Sequence, residues 1–191
     1  MKTIVGVLLA AGSAQRFGTA KLLHPLPDGE PIGVAAARSL LSALPHCVAV
    51  VRPGDVLLHR ELTRLGVRLV ENPAPEGGLG SSLAVGVEAS ADADGWLIAL
   101  GDMPFIRVAT IAALAGAVRD GASIVAPEVG GRRGHPVGFA GHWGPALRAL
   151  RGDRGARDLI EAHPGALQLH TTDDRGVLHD IDSPDDLQAS P

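Results

Sequence analysis

Two cations and a carboxylate stand where apolar runs give way to turns. The run Ile4–Ala10 ends at Ala11 and Gly12, and Arg16 and Lys21 follow closely. A later run, Trp96–Leu100, ends in Gly101-Asp102. Arg16 offers a forked donor for phosphate oxygens and Lys21 a mobile point charge. Ala10, Ala11 and Gly12 carry so little side chain that a flat base or a phosphate chain can approach their backbone. Exposed amides in such a turn form an anion-binding concavity. Asp102, at the end of a buried run and facing phosphates, suits magnesium.

The spacing excludes two common phosphate grips. A P-loop requires Gly-x4-Gly-Lys-Ser/Thr. Here five residues separate Gly12 from Gly18, and Leu22 follows Lys21 where a hydroxyl for magnesium is required. A dinucleotide fingerprint, Gly-x-Gly-x-x-Gly, is broken at Gly12-Ser13-Ala14.

Further candidates lie downstream. Asn72 closes a short apolar run, and Gly80, Ser81 and Ser82 open the next helix. Free amides at a helix start and serine hydroxyls suit a nucleotide, or serve as a simple cap. His135 in Gly134-His135-Pro136 either contacts an acceptor or braces the turn. Arg154 and Arg157, in GDRGAR at 152–157, either bind an acceptor phosphate or form internal salt bridges. Asp182, with Asp180 as runner-up, either holds metal or caps the last helix.

These groups need a scaffold that gathers loop residues. Continuous apolar runs at Ile4–Ala10, His46–Arg52, Val67–Glu71 and Trp96–Leu100 predict buried strands. Helical periodicity predicts helices over Pro31–Leu44, Gly54–Leu65, Leu79–Ala91 and Val108–Arg119. Strands are expected at Ser123–Pro127, Pro136–Ala140, Leu167–Thr171 and Val177–Asp180. Short helices are expected at about 142–150 and 155–162, and from Pro184 on. The alternation predicts an α/β three-layer sandwich: a mainly parallel Rossmann-like sheet, with antiparallel strands added in the C-terminal part. Ligands then bind beyond the carboxyl ends of the strands. One domain is expected over 1–191, with a nucleotide-binding half to about residue 120 and an acceptor-binding half after it.

Composition narrows the partners. The net charge is −4, from 17 basic and 21 acidic residues, and no basic run exceeds Arg132-Arg133. Nucleic acid is therefore not an expected partner. Cys47 is the single cysteine, which rules out an intrachain disulfide, and its apolar surroundings predict a buried thiol. The short, Gly6-interrupted N-terminal run argues against a signal peptide. No stretch approaches the ~20 apolar residues of a membrane span. A cytoplasmic location is expected.

LLAAGSAQRFGTAK resembles the signature of the molybdenum cofactor type of nucleotidyltransferases. EGGLGSSLAVGV at 76–87, LIALGDMPF at 97–105, RRGHPVGF, GDRGAR and DIDSPDDL at 180–187 extend the resemblance along nearly the whole chain. Ala20 departs from it, where the family often has proline. Ala10-Ala11-Gly12 and GLGSSLA are closer to the cytidylyl members than to the guanylyl members, which usually carry glycine at the place of Ala11. The resemblance implies transfer of CMP from CTP to a molybdopterin-type cofactor, with Mg2+ and release of pyrophosphate. A GTP-dependent relative is the near alternative, and a noncatalytic cofactor-binding chaperone the distant one. It implies catalytic roles for Arg16, Lys21 and Asp102. Nucleotide contacts are implied at Leu9, Ala10, Ala11, Gly12, Ser13, Asn72, Gly80, Ser81 and Ser82. Acceptor contacts are implied at His135, Arg154 and Arg157, with metal ligation by Asp102 and Asp182. A molybdenum hydroxylase or its chaperone is the implied protein partner.

Overall fold

The computed structural model describes residues 2–12 and 21–187. Its strands and α-helices run β1 Ile4–Ala10, α1 Ile32–Ala43, β2 Cys47–Val51, α2 Val56–Arg64, β3 Arg68–Glu71, α3 Gly78–Glu88 and β4 Gly95–Leu100. They continue as α4 Val108–Arg119, β5 Ile124–Val129, β6 Arg132–Arg133, β7 Val137–Ala140, α5 Gly144–Arg148, α6 Arg157–Ala162 and β8 Leu167–Thr171. One eight-stranded sheet has the order β3-β2-β1-β4-β7-β5-β6, with β8 paired to β5. β1 to β4 are mutually parallel, and β7 runs antiparallel between β4 and β5.

Period-two side-chain alternation makes the three layers. All seven residues of β1 are buried. Ile4, Leu8 and Ala10 join the core packed by α1, α2 and α4, through Leu40, Leu62 and Leu114. Val5, Val7, Leu9 and Ala11 join the opposite core, with Leu83 and Val87 of α3 and Ile160 of α6. Removing each such leucine from water contributes about 2 kcal/mol. The continuous apolar reading of β1 reflects helices on both of its faces. The Cys47 thiol is buried and its pKa is pushed up to about 12 by that burial, against a smaller lowering from a backbone bond to Gly6.

The C-terminal part differs from expectation in three places. Arg175–Leu178 is a 3-10 turn, where a strand at Val177–Asp180 was expected. The Val177 carbonyl accepts from the His135 amide at 2.9 Å, but no ladder extends from that bond. The helix expected at about 142–150 divides into a 3-10 turn, Gly141–Trp143, and a five-residue α5. β8 pairs with β5 in parallel, so not every C-terminal strand is antiparallel. Among the described residues, no helix is long and apolar enough to cross a membrane.

Candidate active site

The sheet order brings distant loops to one ammonium group. Lys21 opens the turn Lys21–Leu23, and Asp102 follows β4, the immediate neighbour of β1. The Ile181 amide donates to the Asp102 carbonyl at 3.0 Å, drawing the C-terminal segment to the same edge. Lys21 Nζ then donates to Asp102 Oδ2 at 2.9 Å and to Asp182 Oδ1 at 3.0 Å. Burial alone would lower the Lys21 pKa. Hydrogen bonding and charge from Asp102, then Asp182, outweigh it and raise the value above the ordinary lysine range. Asp182 does not cap the last turn. Asp186 Oδ2 does so, accepting from the Asp182 and Ser183 amides and the Ser183 hydroxyl, which leaves Asp182 for Lys21.

This donor set fits a hard divalent ion, since two carboxylates already gather around a cation. No group of three or more His, Cys, Asp or Glu is placed to hold a metal among the described residues. Two protein ligands suit magnesium, which keeps the rest of its shell for water and phosphate oxygens.

A cavity of about 600 Å³ opens beside Asp102. Leu9, Ala11, Gly12, Arg52, Gly78, Ser82 and Asp153 are among its lining residues. Asn72 and Ser81 are not. Asn72 is buried, and its Nδ2 donates to Ser81 and Ser82 hydroxyls at 2.9 and 3.0 Å. Its Oδ1 accepts from the Ala74 amide. Both ends of the amide are occupied, so Asn72 ties the loop after β3 to the start of α3, which carries Ser82. Gly80 is likewise buried against the chain. Its amide donates to the Gly152 carbonyl at 2.8 Å, and a Cβ there would meet the Arg151 backbone at 2.8–2.9 Å. Gly78, at φ +78°, lies against Gly152 and Asp153. The Gly152 amide returns a bond to the Gly77 carbonyl at 2.9 Å. These two backbone bonds clasp the start of α3 to the GDRGAR segment. Arg16 and Ser13 lie outside the described residues.

A second cavity, of about 580 Å³, shares Leu9, Leu79 and Leu100 with the first. Ile98, Phe139 and Ile160 give it an apolar floor, and Arg133, Arg154 and Arg157 bring positive charge. Arg154 pairs with Asp158 and Glu161, and Arg157 with Glu161. Both readings of the segment therefore meet in one place: the arginines form internal ion pairs and also line the cavity. His135 lines it too, and its Nδ1 is buried with no hydrogen-bond partner among the described residues. Burial lowers the ring's pKa below 6.5, helped by Arg133 and opposed by Asp102 and Asp180.

That shift has a sign. The unfolded histidine takes up its proton near pH 6.5, the folded one at lower pH. The neutral ring's contribution is complete above 6.5 and is lost as pH falls through the folded value. The stability gap between the wild-type chain and His135→Gln should therefore shift against the wild type as pH drops below 6.5. Denaturant melts at a series of pH values measure that gap. A gap independent of pH would show that the ring protonates equally in both states.

Residues 6–167 match the model of the MobA-like NTP transferase domain. The chain belongs to this family. It is 32% identical to the purine catabolism protein PucB of Bacillus subtilis, across 96% of this chain and 93% of that one. It is 30% identical to nicotine blue oxidoreductase of Paenarthrobacter nicotinovorans, across 94% and 92%. A nucleotidyl transferase from Methanothermobacter superposes with a TM-score of 0.84 at 26% identity, covering 97% of this chain and 94% of that one.

The MobA-like domain also places groups that sequence reasoning overlooked. Arg52 directly follows β2 and lines the first cavity. The expected strand His46–Arg52 absorbed it; only a strand end set at Val51 marks Arg52, like Asp102, as a charged residue just past a buried strand. Asp174 is a buried carboxylate in a segment that reads as polar loop. Only its tertiary partners distinguish it from its exposed neighbour Asp173.

Proposed function

We propose that this MobA-like transferase moves CMP from CTP to the terminal phosphate of a molybdopterin-type cofactor. The supporting observation is the pair of joined cavities, one flanked by Lys21 and Asp102, the other apolar with a cationic rim. The first takes the nucleoside triphosphate over Ala11 and Gly12. The second takes a flat acceptor whose phosphate points toward Asp102. An acceptor phosphate oxygen attacks the α-phosphorus, and the bond to the β-phosphate oxygen breaks with its electron pair leaving on pyrophosphate. The attacking oxygen is already anionic, so alignment and charge neutralisation supply most of the catalysis. Asp102 and Asp182 would hold magnesium, which neutralises phosphate charge when bound. Lys21 and Arg16 stabilise the α-phosphate and the departing pyrophosphate. The Ala11 methyl at the cavity wall narrows the approach and favours a pyrimidine over guanine.

Purified chain, mixed with the cofactor and each nucleoside triphosphate in turn, tests this reading. Pyrophosphate should appear with CTP, and mass spectrometry should find the cytosine dinucleotide. Product with GTP alone would reassign the base. Cofactor binding with no pyrophosphate from any triphosphate would favour a carrier. The kinship with nicotine blue oxidoreductase raises a second reading, a redox enzyme whose electron carrier occupies the joined cavities. Electron transfer from an added reduced carrier to an added acceptor dye, with no pyrophosphate released from any triphosphate, would support that reading instead.

A further inference from the structure

We propose that Arg52 reads the nucleobase in the first cavity, selecting cytosine or guanine and rejecting uracil and adenine. The proposal rests on the reading of that cavity as a nucleoside triphosphate site. The sheet sets its direction. Asp102 follows β4 and Arg52 follows β2, with β1 between them. Two strand spacings of about 4.8 Å put Arg52 some 10 Å along the sheet edge from the carboxylate. With the phosphates held at Lys21 and Asp102, the ribose crosses the Ala11–Gly12 turn. The base then reaches the β2 end.

The Arg52 backbone is fixed on both sides. The Asn72 amide bonds the Val51 carbonyl at 2.9 Å, and His59 Nε2 lies 3.2 Å from the Arg52 carbonyl. Its guanidinium makes one long contact, Nη2 to the Ala11 carbonyl at 3.4 Å. Among the described residues no carboxylate forms an ion pair with it. Most of its five N–H donors therefore remain for a ligand in the cavity it lines.

A guanidinium donates and never accepts, so its fork needs two adjacent acceptors on one edge. Cytosine presents N3 and O2, and guanine presents O6 and N7. Uracil places N3–H between its two carbonyls. Adenine places its amino group beside N1 and N7. On either of these, one arm of the fork meets a donor. Arg52 thus divides the four bases by acceptor pairing, and the room beside Ala11 divides pyrimidine from purine.

Calorimetric titration of the full chain with Mg2+ and each of CTP, GTP, UTP and ATP tests this without any acceptor. The preferred base should bind about 10- to 100-fold more tightly than UTP and ATP, the usual worth of a bidentate base contact. Arg52→Met should bring the preferred triphosphate down to the level of the weak ones and leave those unchanged. Arg52→Lys keeps the charge but not the fork, and should lose the same discrimination. Equal weakening of all four triphosphates by Arg52→Met would make Arg52 a phosphate contact and overturn the proposal. So would a preference that survives in Arg52→Met, or a wild-type chain without preference. In those cases triphosphates still bind and the reading of the cavity as a nucleoside triphosphate site stands. A wild-type chain that binds no triphosphate would end that reading, and the proposal with it.

Discussion

Asp102→Asn is expected to reduce pyrophosphate release from CTP and cofactor by on the order of 10²-fold or more. The substitution keeps the side chain's size and removes its charge. Lys21 would then hold only Asp182, and the divalent ion would lose the ligand at the end of β4. Lys21→Ala should cost a similar factor by the opposite route. The two carboxylates stay, but no ammonium remains to meet charge developing between the α- and β-phosphates. On the proposed mechanism that charge grows in the transition state, so both losses should fall mainly on kcat rather than KM. The Asp102 side chain is 28% exposed, so Asp102→Asn opens no hole in the core and its thermal melt should stay close to wild type. Lys21 is 11% exposed, and its removal leaves Asp102 and Asp182 facing each other unpaired, so Lys21→Ala should also lower the melt. Near-normal kcat in either variant would remove that residue from the chemistry.

Asp174→Ala should have the largest effect on stability. The carboxylate is buried, and its Oδ2 accepts from the Arg107 amide at 2.9 Å and the Thr110 hydroxyl at 2.7 Å. Oδ1 accepts from the Gly176 amide at 3.1 Å, and Arg107 Nε lies 3.9 Å away. Arg107 and Thr110 belong to the start of α4, so a residue 64 to 67 positions away in sequence closes off that helix. A negative charge at a helix start is also favoured by the helix dipole. Alanine leaves these donors buried without acceptors, at a cost of about 3 kcal/mol. In a chain of this size that lowers the melting temperature by about 6–12 °C. Asp174→Asn keeps one acceptor and should lose less. A loss below about 1 kcal/mol for Asp174→Ala, the worth of one ordinary hydrogen bond, would mean that water reaches these donors.

The parallel half of the sheet was legible because burial on both faces leaves continuous apolar runs. β1 and β4 stand close to where the runs Ile4–Ala10 and Trp96–Leu100 placed them, and α4 has the expected limits. The segment after about residue 140 was harder. Leu167–Thr171 was found as a strand, but its parallel pairing depends on β5, which no local pattern reveals. Val177–Asp180 is apolar enough for a strand, but the chain there winds into the 3-10 turn Arg175–Leu178, and the bond from the His135 amide to the Val177 carbonyl extends into no ladder. At the site, Lys21, Asp102 and Asp182 do converge. Asn72 shows the limit of such reading: a polar residue at a strand end suits a ligand and a loop brace equally. Here Ser81, Ser82 and Ala74 take all its bonds. Arg52 was hidden as the last residue of the expected strand His46–Arg52, whereas β2 ends at Val51 and leaves Arg52 to the cavity.

β7 carries a consequence for how such a protein can change. Its residues Val137 to Ala140 come from the later part of the chain, yet they pair with β4 from Ile98 to Gly95 and also with β5. The later part is therefore sewn into the sheet that carries Asp102. A chimera made by grafting a foreign C-terminal part onto residues 1–120 would have to rebuild that seam or leave the apolar edge of β4 open to aggregation. On the proposed reading of the second cavity, a new acceptor is more readily gained one rim residue at a time, at positions such as Arg133, Arg154 and Arg157, than by exchange of a whole module.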